Sequence, residues 1–194
     1  LFFADGIFSQ THLEPSFNEI TAFLMKQKRI GEAGRVLENY SETRRDFQFW
    51  MMAGYLIQHH MYEIEGLDDL TCYGKAKDMQ PEHERALLGY ARALFARGKY
   101  DEALNTYNHL LDIRPDKKNY LLNRAVSLIN LSQYARAQKE LYRLNYENPD
   151  DRNVNRVLAW ALTCDGKYEQ AGKLYSQLMA DDMQTSRSEE RFSR

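Results

Sequence analysis

The chain has 194 residues, 43% of them hydrophobic and 28% charged, with 26 Lys and Arg against 28 Asp and Glu for a formal net charge of -2. That apolar fraction supports a packed core in one or two domains and excludes wholesale disorder and collagen-like repetition, while the balanced charge removes the electrostatic case for a phosphate backbone or anionic bilayer as partner. Only 10 Gly and 4 Pro beside 13 Tyr and 9 Phe point to long helices with few turns and not to sheets.

In chain order, Leu1-Phe2-Phe3-Ala4-Asp5-Gly6 is apolar but lacks the basic start of a signal peptide, and Asp5 interrupts it. A chain beginning at Leu1 and not at Met reads as processed or excised from a longer protein, with residues 1–13 as an N-terminal extension. Pro15 suits the first turn of a helix. The stretch Leu24...Lys28-Arg29-Ile30-Gly31-Glu32-Ala33...Leu37...Tyr40 keeps the order of features of clearer units downstream and reads as a degenerate helical hairpin. Trp50, Ala53, Gly54 and Ile57 then predict one helix, and Gly66, Leu70 and Tyr73 a second, followed by a short insertion near Asp78 to Gln80. The longest apolar run, Phe49 to Ile57, is far short of the roughly 20 residues that span a membrane. Residues 14–83 are therefore assigned to degenerate hairpins.

From Glu84 onward a period governs the chain. Tyr100, Tyr134 and Tyr168 are 34 residues apart, as are Ala103, Ala137 and Ala171, then Ala91, Ala125 and Ala159, then Leu94, Leu128 and Leu162. Agreement of independent columns on one period marks a repeat architecture. Within the first unit, Leu87, Tyr90, Ala91 and Leu94 make one apolar helical face, and Gly98 ends that helix. Asp101 is the expected N-cap of a second helix in which Ala103, Tyr107, Leu110 and Leu111 face inward, and Pro115 stops it. Small alanines let the two backbones approach, while the aromatics fill the wedge. Three units follow, 84–117, 118–151 and 152–185, and the polar tail 186–194 is a cap, linker or disordered segment.

The period and its words, Gly98-Lys99-Tyr100-Asp101-Glu102-Ala103...Tyr107...Pro115 and Gly166-Lys167-Tyr168-Glu169-Gln170-Ala171...Tyr175, resemble the tetratricopeptide repeat family over about Glu84 to Met183. Departures are Leu87, Leu121 and Asn155 in place of an early aromatic, and Met183 where a third proline belongs. The resemblance implies an all-α, right-handed α-α superhelix, a solenoid of about five hairpins, three of them clear repeats. It also implies a non-catalytic protein-interaction module whose concave surface comes from the first helix of each hairpin.

Carried over on that basis, the groove comprises Arg85, Leu88, Arg92 and Phe95 from the first clear unit. The second unit supplies Asn119, Leu122, Asn123, Val126, Ile129 and Asn130, and the third Asn153, Arg156, Trp160 and Thr163, with Cys164 beside it. An apolar strip with arginines at its ends and asparagines between suits an extended or helical peptide of another protein. The alternatives are a chaperone-like adaptor cupping a client segment, and a spacer or self-association scaffold that forms a homodimer. Family members that hold chaperone C-terminal carboxylates carry Lys, Asn and Arg where this chain has Leu88, Arg92, Asn123, Asn153 and Val157; only Asn123 agrees, which argues against that ligand.

No Gly-rich phosphate loop, nucleophile elbow or zinc motif is present, so neither catalysis nor a cofactor is expected. His59 and Glu63, at i and i+4, are the one pair a helix could aim at a metal, with a solvated pair as the default reading. Arg44-Arg45 and Lys26-Gln27-Lys28-Arg29 are interleaved with Glu32, Glu38, Glu42 and Asp46, a solvated face and not a nucleic-acid patch. Cys72 and Cys164, isolated from each other, fit a reducing, cytoplasmic compartment without membrane insertion.

Overall fold

The computed structural model describes the backbone of residues 17–192 and the side chains of residues 18–180. Over those residues the protein is built of ten α-helices with no strand: α1 (Phe17–Lys26), α2 (Ile30–Glu38), α3 (Phe47–His60), α4 (Asp69–Met79), α5 (Glu84–Ala96), α6 (Tyr100–Ile113), α7 (Lys118–Asn130), α8 (Tyr134–Glu147), α9 (Arg152–Cys164) and α10 (Tyr168–Phe192). The expected all-α helical solenoid is the architecture observed. The chain divides into two compact units, Leu1–Cys72 and Tyr73–Arg194. Pro15 and the extension 1–13 lie outside the described residues.

In the first unit α1 packs on α2, and both touch α3. Its packing is aromatic. Phe49, fully buried, meets Tyr40 at 5.3 Å and Trp50 edge-on at 5.1 Å between ring centroids, and the Arg45 guanidinium lies 5.0 Å above the Phe49 ring. Asp46 caps α3, accepting a hydrogen bond from the Phe49 amide. Gly34 leaves room for the Tyr62 ring, which also donates its hydroxyl to Glu38; a Cβ at Gly34 would sit 2.1 Å from that ring. Gly66, expected inside a helix, instead occupies the turn before α4 at φ +72. The helix cannot include it because left-handed backbone breaks the ladder.

The second unit is periodic. Helices α5 and α6, α7 and α8, and α9 and α10 form antiparallel hairpins, with α6 on α7 and α8 on α9 between them. The alanine columns are the contact points: Ala91, Ala103, Ala125, Ala137 and Ala159 are wholly buried, as are Leu94, Leu110, Leu128 and Leu141. Every first helix closes with one turn. At Gly98 the backbone is left-handed at φ +72, the Lys99 amide reaches back to the Leu94 carbonyl and the Gly98 amide to that of Phe95. Ser132 (φ 59) and Gly166 (φ +76) repeat those bonds 34 and 68 residues on, and Lys28 (φ 59) makes the same turn between α1 and α2.

Two details of the predicted hairpin change. Lys99, not Asp101, is the N-cap of α6, so Asp101 falls in the first turn, where an acid favours the positive end of the helix dipole. Pro115 and Pro149 stop α6 and α8 one residue early, forcing Arg114 and Asn148 out of helical geometry. With Met183 at the third such place α10 runs on to Phe192, so the backbone of the expected polar tail is helical as far as that residue. Side chains also tie successive first helices: the Tyr120 hydroxyl donates to Glu84, and Lys118 to Asp151, the N-cap of α9.

Candidate functional site

The candidate residues sit on three first helices of the second unit: Arg85, Leu88, Arg92 and Phe95 on α5; Asn119, Leu122, Asn123, Val126, Ile129 and Asn130 on α7; Asn153, Arg156, Trp160 and Thr163 on α9. Five of the polar ones, Arg85, Arg92, Asn119, Asn153 and Arg156, are exposed. Leu88, Phe95, Leu122, Asn123, Val126, Asn130, Trp160 and Thr163 are half-buried. Ile129 departs from the expectation. Only 3% exposed, it belongs to the core with Leu104, Leu128 and Leu158 and cannot touch a ligand. It lies in the last turn of α7, three residues past Val126, so the groove strip loses its last apolar rung there.

Some half-buried side chains are already engaged. Asn130 donates to the Val126 carbonyl and Thr163 to that of Ala159, the ordinary back-bonding of polar residues late in a helix. Trp160 and Leu122 lean on the core cluster, leaving part of each surface outside it. Phe95 packs edge-on against Tyr100 at 5.0 Å.

Four candidates come together in one cavity of about 130 Å³, lined by Arg92 and Phe95 of α5, Asn123 and Val126 of α7, and Tyr107 of α6. Four residues taken from the family resemblance thus share one hollow. Tyr107 is the member that sequence reasoning missed, having placed it among the inward wedge residues. It is 2% exposed as a whole and lines the cavity, and its hydroxyl, bonded to no group among the described residues, keeps access to solvent. Water satisfies such a hydroxyl, and an acceptor entering the cavity takes that water's place. A signal existed: the same column holds Leu141 in the next unit, so the hydroxyl at Tyr107 is not a packing requirement. Burial pushes the Tyr107 phenol up to about 12 against the opposing pull of Arg92, which keeps it a donor at neutral pH. The cavity therefore offers a cation, a phenol donor and an amide between two apolar walls.

Other expectations resolve in the first unit. α3 ends at His60 and Met61 turns left-handed at φ 53, so His59 and Glu63 do not share a helical face; both histidine rings instead contact Tyr55, at 4.7 and 5.4 Å. Among the described residues no group of three or more His, Cys, Asp or Glu is placed to hold a metal. Arg29 forms a two-point pair with Glu32, at 2.7 and 2.6 Å. No helix of the described residues is long and apolar enough to cross a membrane.

The tetratricopeptide repeat model matches residues 73–126 and 98–161. No curated protein matches the sequence. Among solved structures, MamA from Desulfovibrio magneticus RS-1 superposes with a TM-score of 0.72 at 14% identity, covering 87% of this chain and 94% of that one. A tetratricopeptide repeat protein from Parabacteroides merdae gives 0.71 at 18% identity, over 85% of this chain and 65% of that one. At such identities the likeness concerns the fold. Repeats of this kind are in general non-catalytic surfaces for other proteins. The period, the recurring left-handed turn and the family model agree: residues 73–161 are tetratricopeptide repeats.

Proposed function

We propose that the first helices of the second unit hold a segment of a partner protein, extended or helical, along the line from Arg92 to Trp160. The observation that carries this reading is the cavity in which Arg92, Asn123 and a Tyr107 hydroxyl without a protein acceptor meet between Phe95 and Val126. A peptide laid over α5 and α7 supplies the acceptor. Its polar group meets Arg92, Tyr107 and Asn123, Phe95 and Val126 flank it, and a bulky apolar side chain rests on the open face of Trp160. The arginines at the two ends favour acidic groups there, since guanidinium forks suit carboxylates.

Peptides selected against the intact protein from a random library test this directly. Tyr107→Phe keeps ring and packing and removes only the hydroxyl, so it should weaken selected peptides by about tenfold with melting unchanged. Arg92→Ala and Trp160→Ala should cost at least as much. Peptides that bind all three variants as tightly as the unaltered protein would place recognition elsewhere.

A further inference from the structure

On the opposite side of α7 lies a second, larger hollow of about 390 Å³, lined only by charged side chains: Arg124, Arg136, Lys139, Glu140 and Arg143. It shares no residue with the groove. Arg124 is two positions from Val126, about 200° around the helix, so it faces away from the Tyr107 cavity. Its guanidinium is held in place by Glu140, with Nε to Oε2 at 3.1 Å and Nη2 to Oε1 at 3.0 Å, and by Asn108 of α6 at 3.3 Å. Arg124 and Glu140 are only 24% and 21% exposed, so the floor is a rigid, mutually neutralised pair.

The rim is not neutralised. Arg136 is exposed and bonded only to the neutral Gln133, Lys139 has no partner among the described residues, and Arg143 has Glu147 at a loose 3.8 Å. Three cations thus ring a hollow in a chain whose total charge is -2. Positions 136, 139 and 143 are three and four residues apart, so the charges recur about every 4.5 to 6 Å along α8. A lone phosphate is too small to meet all three. A helix carrying Glu or Asp at the same i, i+3, i+7 spacing meets each in turn, and Tyr142 and Tyr146, 45% and 88% exposed on α8, offer apolar surface for the stems of those side chains.

We infer that this outer face of the α7–α8 hairpin docks an acidic helix of a partner protein, separately from the groove. Fluorescence anisotropy of a labelled helical peptide with Glu at that spacing, against its Gln counterpart, tests it on the whole chain. Binding should appear for the Glu peptide alone, weaken steeply between about 50 and 500 mM salt, fall about tenfold or more in Lys139→Glu/Arg143→Glu, and persist in Tyr107→Phe and Arg92→Ala. Circular dichroism confirms that the double variant folds, as exposed positions should allow. Equal binding by the double variant overturns the proposal. So do displacement by millimolar inorganic phosphate, which reassigns the hollow to a small anion, and loss of binding in Arg92→Ala, which moves the peptide to the groove. Salt-sensitive self-association abolished by the double variant would give the face to a second copy instead.

Discussion

The two units use one turn and two kinds of packing. Lys28 in the first and Gly98, Ser132 and Gly166 in the second close their helices with the same left-handed residue and the same pair of reaching amides. Around that turn the first unit gathers a few large rings, Tyr40, Phe49, Trp50 and Tyr62, beneath Arg45, whereas the second stacks columns of Ala and Leu. Backbone geometry is thus common to both, while the side chains that enforce it are local choices: a core of rings depends on individuals, a core of columns on the register of many.

The most severe way to break that contrast is Phe49→Ala. Removing a wholly buried ring at the centre of the aromatic cluster should cost about 3–5 kcal/mol, read from Trp50 fluorescence during denaturation in a Trp160→Phe background. Leu128→Ala, read from Trp160 in a Trp50→Phe background, should cost about 3 kcal/mol, whereas Leu128→Ile should stay below about 1.5. If Phe49→Leu proves as mild as Leu128→Ile, the first core does not depend on its ring.

Next in size is Gly34→Ala, whose Cβ would fall among the Tyr62 ring atoms. Overpacking of that order costs about 1–3 kcal/mol, and Tyr62→Ala in the same chain should recover part of it in a double-mutant cycle. The shared turn predicts opposite signs from one exchange. Gly98→Ala should lose about 1 kcal/mol of stability, while Lys28→Gly and Ser132→Gly should each gain up to about 1, by thermal melting, because only glycine takes positive φ without steric cost.

The smallest effect is read by pH. Tyr107 and Tyr120 in the second unit are both pushed up to about 12, chiefly by burial. Raised phenols contribute stability that is complete below about pH 10, where free tyrosine titrates, and lost as pH rises toward 12. Melting temperatures between those limits should fall less steeply in Tyr107→Phe than in the unaltered chain; an identical slope would show that the ring titrates as a solvent-exposed one.

Much of this was legible before any coordinates. The 34-residue columns fixed the hairpins of the second unit because each column residue answers one geometric demand, and the family resemblance they carry pointed to Arg92, Asn123 and Trp160 as groove residues. What escaped notice depended on atoms that period cannot see. Ile129 belongs to the same helical face as Val126 by spacing, yet the closing turn draws it into the core. Tyr107 counts as a wedge residue by size; only its place in the cavity lining beside Arg92 and Asn123 makes it part of a site. Gly66 was misread because its left-handed backbone sets it in the turn before α4, and the helical spacing of His59 and Glu63 lapses because α3 stops at Met61 without any Gly or Pro to announce it.

The bonds from Tyr120 to Glu84 and from Lys118 to Asp151 join the heads of consecutive first helices, one rung per repeat. Under a load applied at the two ends of the second unit these rungs lie across the seams that must part first. Extension should proceed in steps, each freed hairpin of 34 residues adding on the order of 110 Å of slack chain. The protein is in this sense a spring with detents, and Glu84→Gln would lower the force at which the first of them gives way.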